Sequence, residues 1–172
     1  MTAAPGLSSQ DDAADLVASL YQRQAGALIR LAVVIIRDPG AAEDVVQDAF
    51  CGLYQRWPYL SDPASAPFYV RAAVLNGCRS VLRQRARHTG HRLPDPSAPS
   101  AETDALIGEE HRDLLAGLCQ LPRRQREALA LRFFADLSEA EIAQTMGISR
   151  GTVKSTISRG VSALGAYLGA DK

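Results

Sequence analysis

The sequence predicts an all-α chain, folded as two small helical domains joined by a flexible linker, and three observations carry the prediction. Apolar residues recur at spacings of three and four along most of the 172 residues, and no stretch shows the alternation of a strand. His88 to Asp104, HTGHRLPDPSAPSAETD, has three prolines, few apolar groups and no period, so it reads as a linker separating residues 1–87 from residues 105–172. Leu137 to Leu164, LSEAEIAQTMGISRGTVKSTISRGVSAL, carries the start and stop signals of two short helices around a tight turn.

Composition sets the outer bounds. Hydrophobic residues make up 47% of the chain and charged residues 22%, as in a soluble globular protein with room for one medium domain or two small ones. Nineteen basic and nineteen acidic side chains cancel, which argues against a protein that coats nucleic acid indiscriminately. No window approaches the ~20 apolar residues of a membrane span, and Met1 to Gln10 lacks the basic start and apolar run of a secretory signal. The expected location is the cytoplasm, away from any membrane. Cys51, Cys78 and Cys119 are odd in number and share no C-x-x-C spacing, so they are expected to be buried thiols.

The first helix is expected over Asp11 to Arg37, where Leu16, Leu20, Leu28, Leu31, Ala32 and Ile35 fall at helical spacing and Asp38-Pro39-Gly40 ends the run. A second follows from Ala41, its apolar set continuing through Phe50, Leu53, Tyr54 and Trp57. Glu43, Asp44, Gln47 and Asp48 share its other face. Clustered carboxylates raise the question of a metal, but the chain has no partner Glu-x-x-His motif. A solvated face and a docking surface for a protein both remain open.

Pro58 to Pro67, with three prolines and two serines, is expected as a loop. Phe68 to Arg87, FYVRAAVLNGCRSVLRQRAR, then reads as a helix burying Val70, Val74, Leu75, Cys78, Val81 and Leu82. Arg71, Arg79, Arg83, Arg85 and Arg87 lie among them without one acid. Positive charge concentrated on one helix of a neutral protein suits a polyanion, because phosphate contacts release counterions; a basic solvated helix is the alternative. Phe68 and Tyr69 can stack on unpaired bases or serve as packing anchors. In the linker, His88 and His91 form a weak metal site at best, and no metal or cofactor is expected.

The second domain opens with a helix through Leu106, Ile107, Leu114, Leu115 and Leu118. Leu121-Pro122 breaks it and starts another, to Phe134, carrying Arg123, Arg124, Arg126 and Arg132. Ser138 and Glu141 form a capping-box pattern, Ile142, Ala143 and Met146 share a face, and Gly147 supplies the positive φ of a helix end. Ser149 caps the last helix, in which Val153, Ile157, Val161 and Leu164 form the expected inward stripe. Gly151, Lys154, Ser155, Ser158, Arg159 and Ser162 make an outer face without a carboxylate. Such a surface can approach a polyanion closely, and helix, glycine turn and second helix is the arrangement that enters a major groove. An ordinary amphipathic helix pair is the competing reading.

Gly151-Thr152-Val153-Lys154-Ser155 resembles both the last DNA-binding region of bacterial sigma factors and the helix-turn-helix of response-regulator-type (LuxR-like) transcription factors. The rest of the chain separates the two. Ala42-Glu43-Asp44-Val45-Val46-Gln47-Asp48-Ala49-Phe50, Tyr69-Val70-Arg71, Asn76 and Arg83-Gln84-Arg85 resemble sigma region two. Leu121-Pro122 with Arg126, and Glu141-Ile142-Ala143, resemble region four. With region one and a full region three absent, the layout is similar to the extracytoplasmic-function (ECF) sigma factors, and the Trp57 and Tyr69-Val70-Arg71 wording to an actinobacterial branch.

The resemblance implies a promoter-specificity subunit and no enzyme, consistent with the lack of a glycine-rich phosphate loop. Its implied partners are core RNA polymerase and promoter DNA, with no small-molecule substrate; whether an anti-sigma factor also binds is left open. Glu43, Asp44, Gln47 and Asp48 would dock on the clamp helices of the polymerase's largest subunit. Arg71, Asn76, Arg79 and Arg83 would hold the unwound −10 element, whose bases are read only once flipped out. Arg150, Thr152, Lys154, Ser155, Ser158 and Arg159 would lie at the −35 major groove, with Arg126 on the neighbouring phosphates. Two departures stand out, many ECF members having Arg at the place of Thr156 and many an Asp near Ser80, and both positions are expected to be exposed. The other readings are a transcriptional regulator using the C-terminal motif alone and, more distantly, a helical metal enzyme using Glu43, Asp44 and the histidines, for which the ligand spacing is wrong.

Overall fold

Helix α1, Gln10–Ile36, opens the chain in the computed structural model, which describes residues 10–88 and 112–170. Most of the expected linker, with His91, Leu106 and Ile107, lies outside the described residues. Among those described, all regular structure is helical.

Arg37 ends α1 by taking a φ of 60°, and Asp38 then caps α2, Pro39–Arg56, its carboxylate accepting from the Ala41 amide at 3.0 Å. Proline in the first turn of α2 forfeits only an amide that has no helical partner anyway. The corner between these helices is tied down from α3, Ala66–His88: the Arg85 guanidinium donates to the Ile36 carbonyl at 3.0 Å and pairs with Asp38. Between α2 and α3 the expected loop holds two single 3₁₀ turns, Trp57–Tyr59 and Pro63–Ser65, and α3 starts at Ala66 rather than Phe68. Asp62 causes that ordering, its carboxylate capping the second turn through the Ala64 amide at 2.9 Å.

The C-terminal half contributes α4, Arg112–Gln120, α5, Arg123–Phe133, α6, Glu139–Met146, and α7, Arg150–Ala170. Pro122 sits at the N-cap of α5, one position before the first helical residue expected for it. Helix α7 packs on α4, α5 and α6, and it comes close because Gly117 and Gly160 stand at the crossings. A β-carbon on Gly160 would lie 3.1 Å from Leu129, and one on Gly117 would lie 2.7 Å from Leu164.

The two halves are not separate bodies. Helix α1 packs on α2 and α3 and also on α4 and α5, while α3 packs on α6, so one contiguous set of buried residues runs through both. Leu31, Ala32, Val33, Val34, Ile35 and Ile36 are all buried, as a helix end flanked on both sides requires. Three apolar expectations fail: Leu16 is 47% exposed on α1, Tyr54 39% on α2 and Val161 47% on α7.

The thiols also differ from expectation. Cys78 is buried, but Cys51 is exposed and Cys119 only half-buried. Burial, reinforced by the nearby Glu127 carboxylate, pushes the Cys78 thiol up to about 12. In the native protein at pH 8, Cys51 is therefore expected to react with an aromatic disulfide reagent within minutes while Cys78 reacts only on unfolding. Labelling of Cys78 at the Cys51 rate, read by peptide mass, would contradict its burial.

Candidate nucleic-acid interface

The turn between α6 and α7 is specified by local chemistry. The Ser138 hydroxyl accepts from the Glu141 amide at 3.3 Å and the Glu141 carboxylate accepts from the Ser138 amide at 2.9 Å, so two amides left over at the start of α6 are satisfied reciprocally. The Ser138 amide and the Ser138 hydroxyl, which donates to the same carboxylate at 2.9 Å, hold the Glu141 carboxyl below its ordinary value, with a smaller contribution from Arg71. Gly147 closes α6 at a φ of 67°, and the next amide, of Ile148, reaches back to the Ala143 carbonyl at 3.0 Å. Ser149 caps α7 through the Thr152 amide at 3.1 Å and shares a 2.8 Å hydrogen bond with the Thr152 hydroxyl.

On α7 the outer face is as expected: Arg150, Gly151, Thr152, Lys154, Ser155, Ser158, Arg159 and Ser162 are all exposed, with no acid among them. Arg159 lies back along the helix, its Nε donating to the Ser155 carbonyl at 3.1 Å. Ser80 is exposed as expected, but Thr156 is buried at 6% exposure. The inward line of α7 is Val153, Thr156 and Gly160, flanked by half-buried Ile157 and Leu164, so it runs through the glycine and away from Val161. A count of apolar letters misses such a line, because the residue at its closest contact has no side chain.

Arg126 is not at this surface. Its guanidinium turns inward and donates to the carbonyls of Cys119 and Leu121 at 3.0 and 3.2 Å, closing the end of α4, and burial lowers its proton affinity. That placement corrects the expectation of a direct phosphate contact: a short corner leaves orphan carbonyls, and the nearest cation satisfies them.

Helix α3 presents Asn76 and Arg83 to solvent. Arg71 and Arg79 are engaged by the C-terminal half. Arg79 grips Glu127 of α5 with two bonds, Nε to Oε1 at 3.0 Å and Nη2 to Oε2 at 2.7 Å, and Glu127 is fully buried. That hydrogen bonding raises the Arg79 proton affinity further. Arg71 donates to the Glu141 carboxylate at 2.9 Å. Sequence reasoning gave Glu127 no role, and its position amid a buried run, Ala128-Leu129-Ala130-Leu131, was the available signal.

Helix α2 exposes Glu43, Asp44, Gln47 and Asp48. Beside them runs an apolar groove of about 690 Å³ between α1 and α2, lined by Val17, Tyr21, Phe50 and Tyr54, where Tyr21 meets Phe50 edge to face at 5.0 Å. Among the described residues no group of three or more His, Cys, Asp or Glu is placed to hold a metal, and no helix is long and apolar enough to cross a membrane. His88 is hydrogen-bonded to the Gln84 carbonyl at 2.8 Å.

Comparison with known proteins matches this geometry half by half. The family model of Sigma-70 region 2 matches residues 20–88, and that of Sigma-70, region 4 matches residues 111–164. The RNA polymerase sigma-E factor of Streptomyces avermitilis is 33% identical over 141 residues, which cover 80% of this chain and 76% of that protein. The ECF RNA polymerase sigma factor SigK of a Mycobacterium species is 23% identical over 162 residues, covering 90% and 84% of the two chains. The sigma factor RpoE of Bartonella quintana, solved in complex with the anti-sigma factor NepR, shares the fold with a TM-score of 0.66 at 22% identity, over 90% of this chain and 99% of that one. The chain therefore belongs to the sigma-70 family of RNA polymerase sigma factors, in the extracytoplasmic-function group, and its function is to bind core polymerase and direct transcription initiation at promoters.

Proposed function

We propose that this sigma factor divides promoter recognition between two helices: α7 reads the −35 element as duplex, and α3 holds the −10 element as separated strands. The observation that carries the reading is the exposed, acid-free face of α7 on a helix pair fixed by two caps and a left-handed glycine. Lys154, Arg159 and Arg150 are its cations, and Ser155, Ser158 and Thr152 its short hydrogen-bonding groups, all exposed. Arg126 acts indirectly, by holding the α4–α5 corner on which α7 packs. Arg71, Asn76, Arg79 and Arg83 line one helix, suited to a strand whose bases have left the stack.

Glu43, Asp44, Gln47 and Asp48, of which Gln47 also lines the groove between α1 and α2, are the proposed contact with core polymerase. Residues 1–87 and 105–172 act as the two DNA-binding units, and 88–104 as the tether that makes the second contact effectively intramolecular. The protein works in the cytoplasm and has no reaction of its own, since melting draws on base binding and on polymerase. By analogy with the RpoE complex, an anti-sigma factor is a further partner.

Adding the purified chain to core polymerase is expected to give run-off transcripts from a cognate promoter, whereas a regulator using α7 alone would bind duplex DNA and leave core enzyme inactive. Lys154→Ala and Arg159→Ala are each expected to weaken −35 duplex binding by about 1 kcal/mol, roughly fivefold, because each removes one phosphate or base interaction. Fluorescence anisotropy with a −35 duplex measures this; unchanged affinity in both variants would remove α7 from the groove.

A further inference from the structure

The outer face of α7 carries hydrogen bonds of its own. The Ser155 hydroxyl donates to the Thr152 carbonyl at 3.0 Å, so its proton is committed to the helix backbone. From the other side Arg159 folds back, its Nε donating to the Ser155 carbonyl at 3.1 Å and its Nη2 to the Ser155 hydroxyl oxygen at 3.4 Å. A hydroxyl has one proton and two lone pairs, and at Ser155 the proton and one lone pair are taken. What remains to face outward is a single acceptor. One turn earlier Gly151 has no side chain, and a β-carbon there would meet only the Ser149 hydroxyl, at 3.9 Å. Gly151 and Ser155 are both exposed and lie four residues apart on one line of the helix. Base edges can therefore come close enough for a side chain as short as serine to touch them.

We infer that Ser155 is a specificity-determining residue that reads an exocyclic amino group, of adenine or of cytosine, at one base pair of the −35 element. The inference rests on the preceding assignment of α7 to that groove. In the major groove the only hydrogen-bond donors are N6 of adenine and N4 of cytosine, whereas N7 and O6 of guanine, N7 of adenine and O4 of thymine all accept. A side chain left with nothing but an acceptor is matched by the donors and repelled by the rest. Each base pair holds one such amino group, so Ser155 tells A·T from T·A and C·G from G·C by the strand that carries it. It does little to separate A·T from C·G. Arg159 is the complement, since its remaining N–H groups suit a neighbouring phosphate or the acceptor edge of guanine.

The test uses the full chain assembled with core polymerase, as parent and as Ser155→Ala. Alanine at an exposed helical position favours the helix, so a change reports on contact and not on folding. Each holoenzyme selects from a library of duplexes randomised upstream of the melted region, and the selected duplexes are sequenced. The parent is expected to favour A or C over G or T on one strand at one position by about fivefold, and Ser155→Ala to lose that preference while the other positions keep theirs. At that position the amino group alone is then removed from a fluorescein-labelled duplex, by placing purine for adenine or 2-pyrimidinone for cytosine. The parent should bind the altered duplex about fivefold more weakly than the unaltered one, and Ser155→Ala should bind the two alike. A Ser155→Ala holoenzyme that selects the same sequences as the parent overturns the inference, as does a parent indifferent to loss of the amino group. A parent that selects no sequence upstream of the melted region overturns the assignment of α7 to the groove, and the reading of Ser155 with it.

Discussion

Leu131→Ala is expected to cost about 2–5 kcal/mol and to unfold the C-terminal bundle, abolishing duplex binding by a residue that never touches DNA. Leu131 lies on α5 with no exposed surface, among Ala128, Leu129 and Ala130, which are equally buried. Its carbonyl also accepts the Leu137 amide at 3.2 Å, holding the approach to α6. Removing three buried carbons there loses their transfer energy and leaves a void that helices pinned by Gly117 and Gly160 cannot easily close. Bundles this small have little stability to spare, often no more than about 5 kcal/mol. Leu131→Met, which keeps the volume, should cost less than about 1.5 kcal/mol. Thermal unfolding followed by circular dichroism, beside anisotropy on a −35 duplex, measures both. A Leu131→Ala protein that melts within a degree or two of the parent would show that α5 is not the centre of this bundle.

Gly77→Leu is the second large effect, expected to destabilise the N-terminal bundle by about 1–3 kcal/mol or more through overpacking. A β-carbon at Gly77 would lie 2.7 Å from Cγ1 of Val45, closer than real contacts allow. Val45 is β-branched on a helix and has almost no rotamer to retreat to, so α3 must move away from α2. Magnitudes decide how the milder change behaves. Gly77→Ala meets the same contact but gains about 1 kcal/mol of helix propensity, so its net effect should be small. Leucine adds three more carbons in the same gap with little further propensity to gain. Denaturant unfolding of the two variants separates the contributions; equal stability would mean that the α2–α3 crossing yields at little cost.

The features that were legible beforehand are those whose cause lies within a few residues. Ser138, Glu141, Gly147 and Ser149 fix the turn before α7 through bonds spanning three to five positions, and the sequence placed all four correctly. The exposed face of α7 followed once those caps set its start. Failures came where the cause is distant in the chain. Thr156 is buried and Val161 exposed because α5 meets α7 at Gly160, and nothing near residue 160 announces that approach. Arg126 read as a free cation because its acceptors, the carbonyls at the end of α4, carry no letter of their own. Glu127 was overlooked since an acid between Arg126 and Ala128 looks like surface until Arg79, 48 residues away, is brought against it. One signal was present and unused: Leu31 to Ile36 is apolar on every side, and a helix covered on one face alone has no need of that.

That stretch of α1 has a consequence for the protein's life on and off the polymerase. Helix α1 is packed by α4 and α5 as well as by α2 and α3, and its last six residues are all buried, so pulling the halves apart wets apolar surface on a helix that has no bare face at that end. A spread chain without the enzyme to shelter it should be sticky, quick to clump and easily nicked by proteases, so the extended form would be rationed by the supply of core enzyme.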